Sequence, residues 1–178
     1  MRLAAFLAVL VFVITCIGIC ARLGWHRDQT ISNHVARTLW SRILFCVVDL
    51  ATVGVLAAYT WTWLRPQTGL AWPICAVFNL ALALIAVIGL VPHTTGRSET
   101  VHVRCAWAAM IAMAVTSFAV TIQLWDATAM GIRVYDILYL AYCLVLVGIA
   151  FSRYLKPWYL YWESTYFIGF FALILLVH

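Results

Sequence analysis

Asp49, Asn79 and Glu163 stand inside long apolar runs, with Gln123 and Asp136 at the edges of two others. Polar groups at such positions are costly in hydrocarbon, so they pair with one another, hold a ligand or carry a proton. At 3.6 residues per turn, Asp49 lies about two turns and Glu163 about one turn inside its run. Both lie toward the end of the molecule that also holds His93, His102 and Arg104. Two acids, two imidazoles and a guanidinium converging there would suit a lipid headgroup or a proton. Asp49, His93, His102, Arg104 and Glu163 are therefore the candidate ligand-binding residues. The structural alternative is a set of buried ion pairs and hydrogen bonds that fixes helix register.

Other chemistries find less support. His93, Glu99 and His102 supply donors that suit zinc, but their spacing matches no compact zinc pattern. A b-type haem needs two facing histidines at depth, and His26 and His34 lie outside the apolar runs. No metal and no cofactor are expected. Cys16, Cys20, Cys46, Cys75, Cys105 and Cys143 all fall in or beside apolar stretches. A quinone-linked thiol relay is conceivable, yet the first pair is C-x-x-x-C, and free cysteine commonly behaves as a small hydrophobe. The nucleophile elbow, the zincin helix, the P-loop and the dinucleotide fingerprint are all missing. Lys156, beside Pro157, sits in a loop and is unsuited to a retinal Schiff base. No catalytic residue is assigned.

These residues need elements to position them, and composition says which. Of 178 residues, 66% are hydrophobic and 10% charged. A soluble domain carries roughly 25% charged residues, and one this small could not bury so much apolar surface. Six stretches are long enough to cross a bilayer: 3–21, 43–64, 70–91, 105–125, 134–152 and 160–177. The expected fold is all-α: a polytopic membrane protein, residues 1–178 forming one bundle of six transmembrane helices. The first stretch reads as the first membrane helix rather than a removed signal peptide.

The net charge of +5 does not point to nucleic acid, because the basic residues sit singly between apolar runs. Alternating helices place Arg2, Arg65 and Arg133 on one side. The other side holds Arg22, Arg27, Arg37, Arg42, Arg97, Arg104, Arg153 and Lys156. The positive-inside rule then sets the first, third and fifth loops in the cytoplasm and both termini outside. Trp25, Trp40, Trp61, Trp63, Trp72, Trp125, Trp158, Tyr159, Tyr161 and Trp162 cluster near the run ends, where interface anchoring is preferred over a ligand cage. The small residues Ala106, Ala108, Ala109, Ala112, Ala114, Ser117 and Ala119 predict a central fourth helix. Asp136, Tyr139 and Cys143 share one face of the fifth, which should look inward.

Three short stretches resemble a known pattern. The first loop reads Thr30-Ile31-Ser32-Asn33-His34, the third run ends Gly89-Leu90-Val91-Pro92, and the last loop reads Ser152-Arg153-Tyr154. The layout resembles the prokaryotic membrane family called domain of unknown function 998, itself similar to the Frag/DRAM/Sfk group of six-helix proteins. Asn33 stands where that family commonly has an acid, and Val91 where an aromatic often precedes the proline. The resemblance implies a six-helix bundle and a role in membrane lipid organisation or regulation.

The expected function is a non-catalytic protein of the bacterial cytoplasmic membrane. It would bind a membrane lipid, a partner membrane protein or its own copies, and one version of this reading is an accessory subunit of a larger membrane complex. The alternatives are an enzyme acting on a lipid or quinone through Asp49, His102 and Glu163 or the thiols, and a small transporter or channel. Pro73 is the one proline well inside an expected span, and no inverted repeat is evident.

Overall fold

The computed structural model describes residues 1–91, 96–149 and 156–176, and among these the ordered elements are all helical. A chain this apolar must satisfy its backbone groups internally in lipid, and helices do so within one segment. The elements are α1 (Arg2–Leu23), α2 (Ile31–Ala36), α3 (Leu39–Tyr59), α4 (Arg65–Thr68), α5 (Trp72–Leu90), α6 (Arg97–Gln123), α7 (Met130–Ile149) and α8 (Tyr159–Leu176). A π turn at Thr60–Leu64 joins α3 to α4. Five segments are long and apolar enough to cross a membrane: Arg2–Leu23, Leu39–Thr68, Trp72–Leu90, Arg97–Gln123 and Tyr159–Leu176.

Several ends depart from expectation for local reasons. α3 begins at Leu39 rather than at residue 43, because the Thr38 side chain caps it by accepting from Ser41 N (3.1 Å). α6 begins at Arg97, so His102 and Arg104 stand on a helix and not in a loop. Pro73 belongs to the first turn of α5, where a missing N–H leaves no helical bond unmade. The short α2 was not expected. Its signal is a capping box: Thr30 Oγ1 accepts from Asn33 N (3.1 Å), and Asn33 Oδ1 accepts from Thr30 N (3.1 Å).

α1, α3, α5, α6 and α8 form a closed ring in that order, α8 returning to α1. α7 packs on the seam between α6 and α8. The inner stripe of α1 is Ala5, Val9, Phe12, Cys16 and Ile19, while Leu3, Phe6, Leu10, Ile14 and Ile17 face outward. An apolar outer face suits lipid as solvent. α6 buries Ala109, Ala112 and Ser117 against its neighbours, whereas Ala108 faces outward, and the helix takes a place in the ring rather than the expected centre of the bundle. Asp136, Tyr139 and Cys143 are all buried.

Arginine–tryptophan pairs mark both ends. Arg2 lies over Trp63, Arg65 over Trp61 and Arg133 over Trp125 at one end, with Arg22 over Trp40 and Arg27 over Trp158 at the other. Arg2 also donates to Leu175 O (3.0 Å), which brings the end of α8 beside the start of α1. Two of the costly polar groups are satisfied locally. Asn79 donates to Cys75 O (2.8 Å), and Gln123 staples the turn before α5 through Ala71 N (2.9 Å) and Gly69 O (3.0 Å).

Candidate functional site

A cavity of about 500 Å³ opens among α2, α6 and α8, with Leu146 of α7 also lining it. Its mouth carries Asp28, Gln29, Thr30, Asn33, His102 and Glu163, and its walls are Trp107, Met110, Tyr159, Trp162, Tyr166 and Phe167. From Arg104, where the apolar run of α6 begins, to Met110 the rise is about 9 Å. The cavity therefore runs from the basic end of the bundle into its apolar body.

The mouth is built by fastening the α1–α2 connection. Glu163 Oε2 accepts from Ile31 N (2.5 Å), so an acid on α8 caps the first turn of α2 and ties two elements together. Leu160 N donates to Arg27 O (3.1 Å). Arg37 donates to Leu23 O (2.9 Å) and Gln29 Oε1 (2.8 Å). The fully buried His34 ring has Nδ1 2.9 Å from Thr30 O, while Nε2 lies 3.1 Å from Gly24 O and accepts from His26 N (3.3 Å). Gly24 turns at φ +87°, a left-handed value that favours glycine.

The walls are held by tyrosine hydroxyls. Tyr135, Tyr139 and Tyr142 on α7 donate to the carbonyls of Gly169 (2.7 Å), Tyr166 (3.0 Å) and Trp162 (3.2 Å) on α8. Tyr166 in turn donates to Met110 O (2.5 Å) on α6. Each bond is a side-chain donor meeting a helical carbonyl that has a lone pair to spare. The α7–α8 approach needs Gly169, since a Cβ there would run into the Tyr139 ring.

The five sequence-predicted residues separate. Glu163 and His102 share the cavity. His102, 4% exposed, has Nδ1 2.7 Å from Val91 O, and its ring also lines a second cavity of about 300 Å³ beside Arg42, Phe45, Cys46 and Gly89. Arg104 is exposed, because two residues of helix rotate it away from His102. Asp49 does face the interior, at 1% exposure, but its carboxylate packs against Gly89 and its Oδ2 has no hydrogen-bond partner among the described residues. His93 lies outside the described residues. The expected five-residue convergence thus becomes two neighbourhoods, one around Glu163 and one around Asp49.

The aromatic reading divides in the same way. Trp25, Trp40, Trp61, Trp72, Trp125, Trp158 and Tyr161 are exposed, as anchors should be, whereas Tyr159 and Trp162 turn into the cavity wall. Sequence reasoning missed Trp107 and Tyr166 as wall residues. The i, i+4, i+7 spacing of Tyr135, Tyr139 and Tyr142 was the available signal for the zipper. All six cysteines are free; Cys16 and Cys20 are buried beside Phe12, Leu160 and Phe167, a setting of small apolar contacts.

The fold and site define an all-helical bundle, five of whose segments have membrane-crossing length, with an amphipathic cavity at its basic end. No family model, curated protein or solved structure matches the chain. The likeness to domain of unknown function 998 rests on the short motifs quoted above.

Proposed function

We propose that this chain is a non-catalytic, six-span protein of the bacterial cytoplasmic membrane that binds a membrane lipid between α2, α6 and α8. The carrying observation is the cavity itself: about 500 Å³, polar at the mouth and aromatic within. Ligand pockets are commonly a few hundred to about 1,000 Å³, mostly apolar with a few placed polar groups. A lipid is the ligand whose polarity changes along its length in the same order. The sixth span of this reading is α7, whose 20 residues join the two helices flanking the cavity. Membership of the domain of unknown function 998 family, with its implied lipid role, belongs to the same proposal.

The test uses the full chain purified from membranes in dodecyl maltoside. Lipid extracted from the protein should be retained in near-equimolar amount. Ala106 also lines the cavity, so Ala106→Phe places a ring there and should expel the lipid, with the helical spectrum unchanged. Equal lipid retention by the two proteins would remove the proposal.

A further inference from the structure

The mouth of this cavity also bears on headgroup charge. Building on the lipid-site reading, we propose that it takes an ammonium-headed amphiphile, an amine or quaternary ammonium on an apolar tail. Asp28 and Glu163 both line it, and no arginine or lysine side chain does so among the described residues. Of the described arginines that flank the lining residues in sequence, Arg104 is exposed and Arg27 and Arg37 are engaged elsewhere. Arg27 lies 4.6 Å from the Trp158 ring centroid, and Arg37 is held by Leu23 O and Gln29 Oε1. Glu163 spends one acceptor site on Ile31 N, and a carboxylate has others to offer. Asp28 is exposed at the rim.

Aromatic walls complete the match. Trp107, Tyr159, Trp162 and Tyr166 line the space beyond the acids. Indole and phenol rings attract a cation over their faces, and aromatic cages with nearby acids are how proteins hold quaternary ammonium groups. An anionic headgroup would instead meet two carboxylates in a site of reduced dielectric, where like charges repel more strongly than in water. Among the described residues, Asp28 and Glu163 line the cavity, whereas Arg27, Arg37 and Arg104 do not.

The ammonium could belong to a bilayer lipid such as phosphatidylethanolamine or to a soluble amphiphile, and two arms of one experiment tell these apart. Full-length protein is placed in nanodiscs of equal phosphatidylethanolamine, phosphatidylcholine and phosphatidylglycerol, and the retained lipid is read by native mass spectrometry. Separately, tetradecyltrimethylammonium and tetradecyl maltoside are titrated into the delipidated protein by calorimetry. Retention of an amine or choline lipid supports the proposal with a bilayer source. A preference of about tenfold for the ammonium detergent, without lipid retention, supports it with a soluble source.

Glu163→Gln keeps an acceptor for Ile31 N, and Asp28→Asn leaves packing untouched. Each should reduce the ammonium preference several-fold. If Glu163→Gln fails to fold, Asp28→Asn carries the test alone. Retention of phosphatidylglycerol, or an ammonium preference unmoved by these variants, overturns the headgroup proposal. In that case Ala106→Phe still expels the lipid. Failure of Ala106→Phe to expel anything marks instead the failure of the lipid site.

Discussion

Asp49 and Glu163 are both acids on helices of membrane-crossing length near the same end of the bundle, yet their surroundings differ. Glu163 sits one turn inside α8 and reaches a backbone N–H of α2. Asp49 sits deeper in α3, wedged against the Cα of Gly89, with Oδ2 lacking a partner among the described residues. The loop end of the bundle offers unsatisfied donors, because every helix start leaves N–H groups free. The helical body offers none. A carboxyl group about one turn from that end can therefore become a tether, and one nearly three turns in is left to packing.

The largest effect should come from Gly89. A Cβ there collides with the Asp49 carboxylate, so Gly89→Leu should lower stability in thermal unfolding by about 3 kcal/mol, in the overpacking range. Adding Asp49→Ala should recover much of that loss. Strict additivity of the two changes would show that the acid and the glycine do not share this space.

Glu163→Ala should come next, at about 2 kcal/mol, because it removes a charged hydrogen bond and leaves Ile31 N uncapped. Limited proteolysis should then cut within residues 24–38 first. The isosteric pair sharpens the contrast. Glu163→Gln should lower the melting temperature, whereas Asp49→Asn should leave it unchanged or raise it, since it removes an acid that costs about 2.5–3.5 kcal/mol at depth. Equal losses for the two would erase the distinction between tether and wedge.

A smaller change is expected along the hydroxyl zipper. Tyr139→Phe removes one bond to Tyr166 O (3.0 Å) and no packing. Interhelical hydrogen bonds in membranes average about 0.6 kcal/mol, so the melting shift should be slight. A loss several times larger would show that the α7–α8 bonds act together. Least of all should follow from Cys16→Ala with Cys20→Ala, each a small apolar change costing below about 1 kcal/mol. Lipid retention should survive it. Loss of lipid binding with intact folding would move the thiols into the site.

Five of the six expected stretches form helices of membrane-crossing length, and these were legible from the chain because apolar length is a local property that one run of residues carries by itself. The inward face of α7 was legible for the same reason: Asp136, Tyr139 and Cys143 repeat at helical spacing. The ends were read less well. Thr38 and Thr30 cap helices that apolar counting starts late or omits, since capping is written in single hydroxyls and not in hydropathy. The candidate site was legible as two acids at one end, but their partners were not. Depth can be counted along a helix, whereas rotation about its axis and the choice of neighbour are set by packing. That is why Arg104 turned outward, Asp49 met a glycine, and Trp107 and Tyr166 entered the cavity wall. Composition and spacing alone determined the all-helical class, the apolar runs and the charged end. The ring order of the helices, and with it the cavity, arose only in the tertiary structure, because small side chains decide how closely helices approach and leave no one-dimensional trace of which helix they approach.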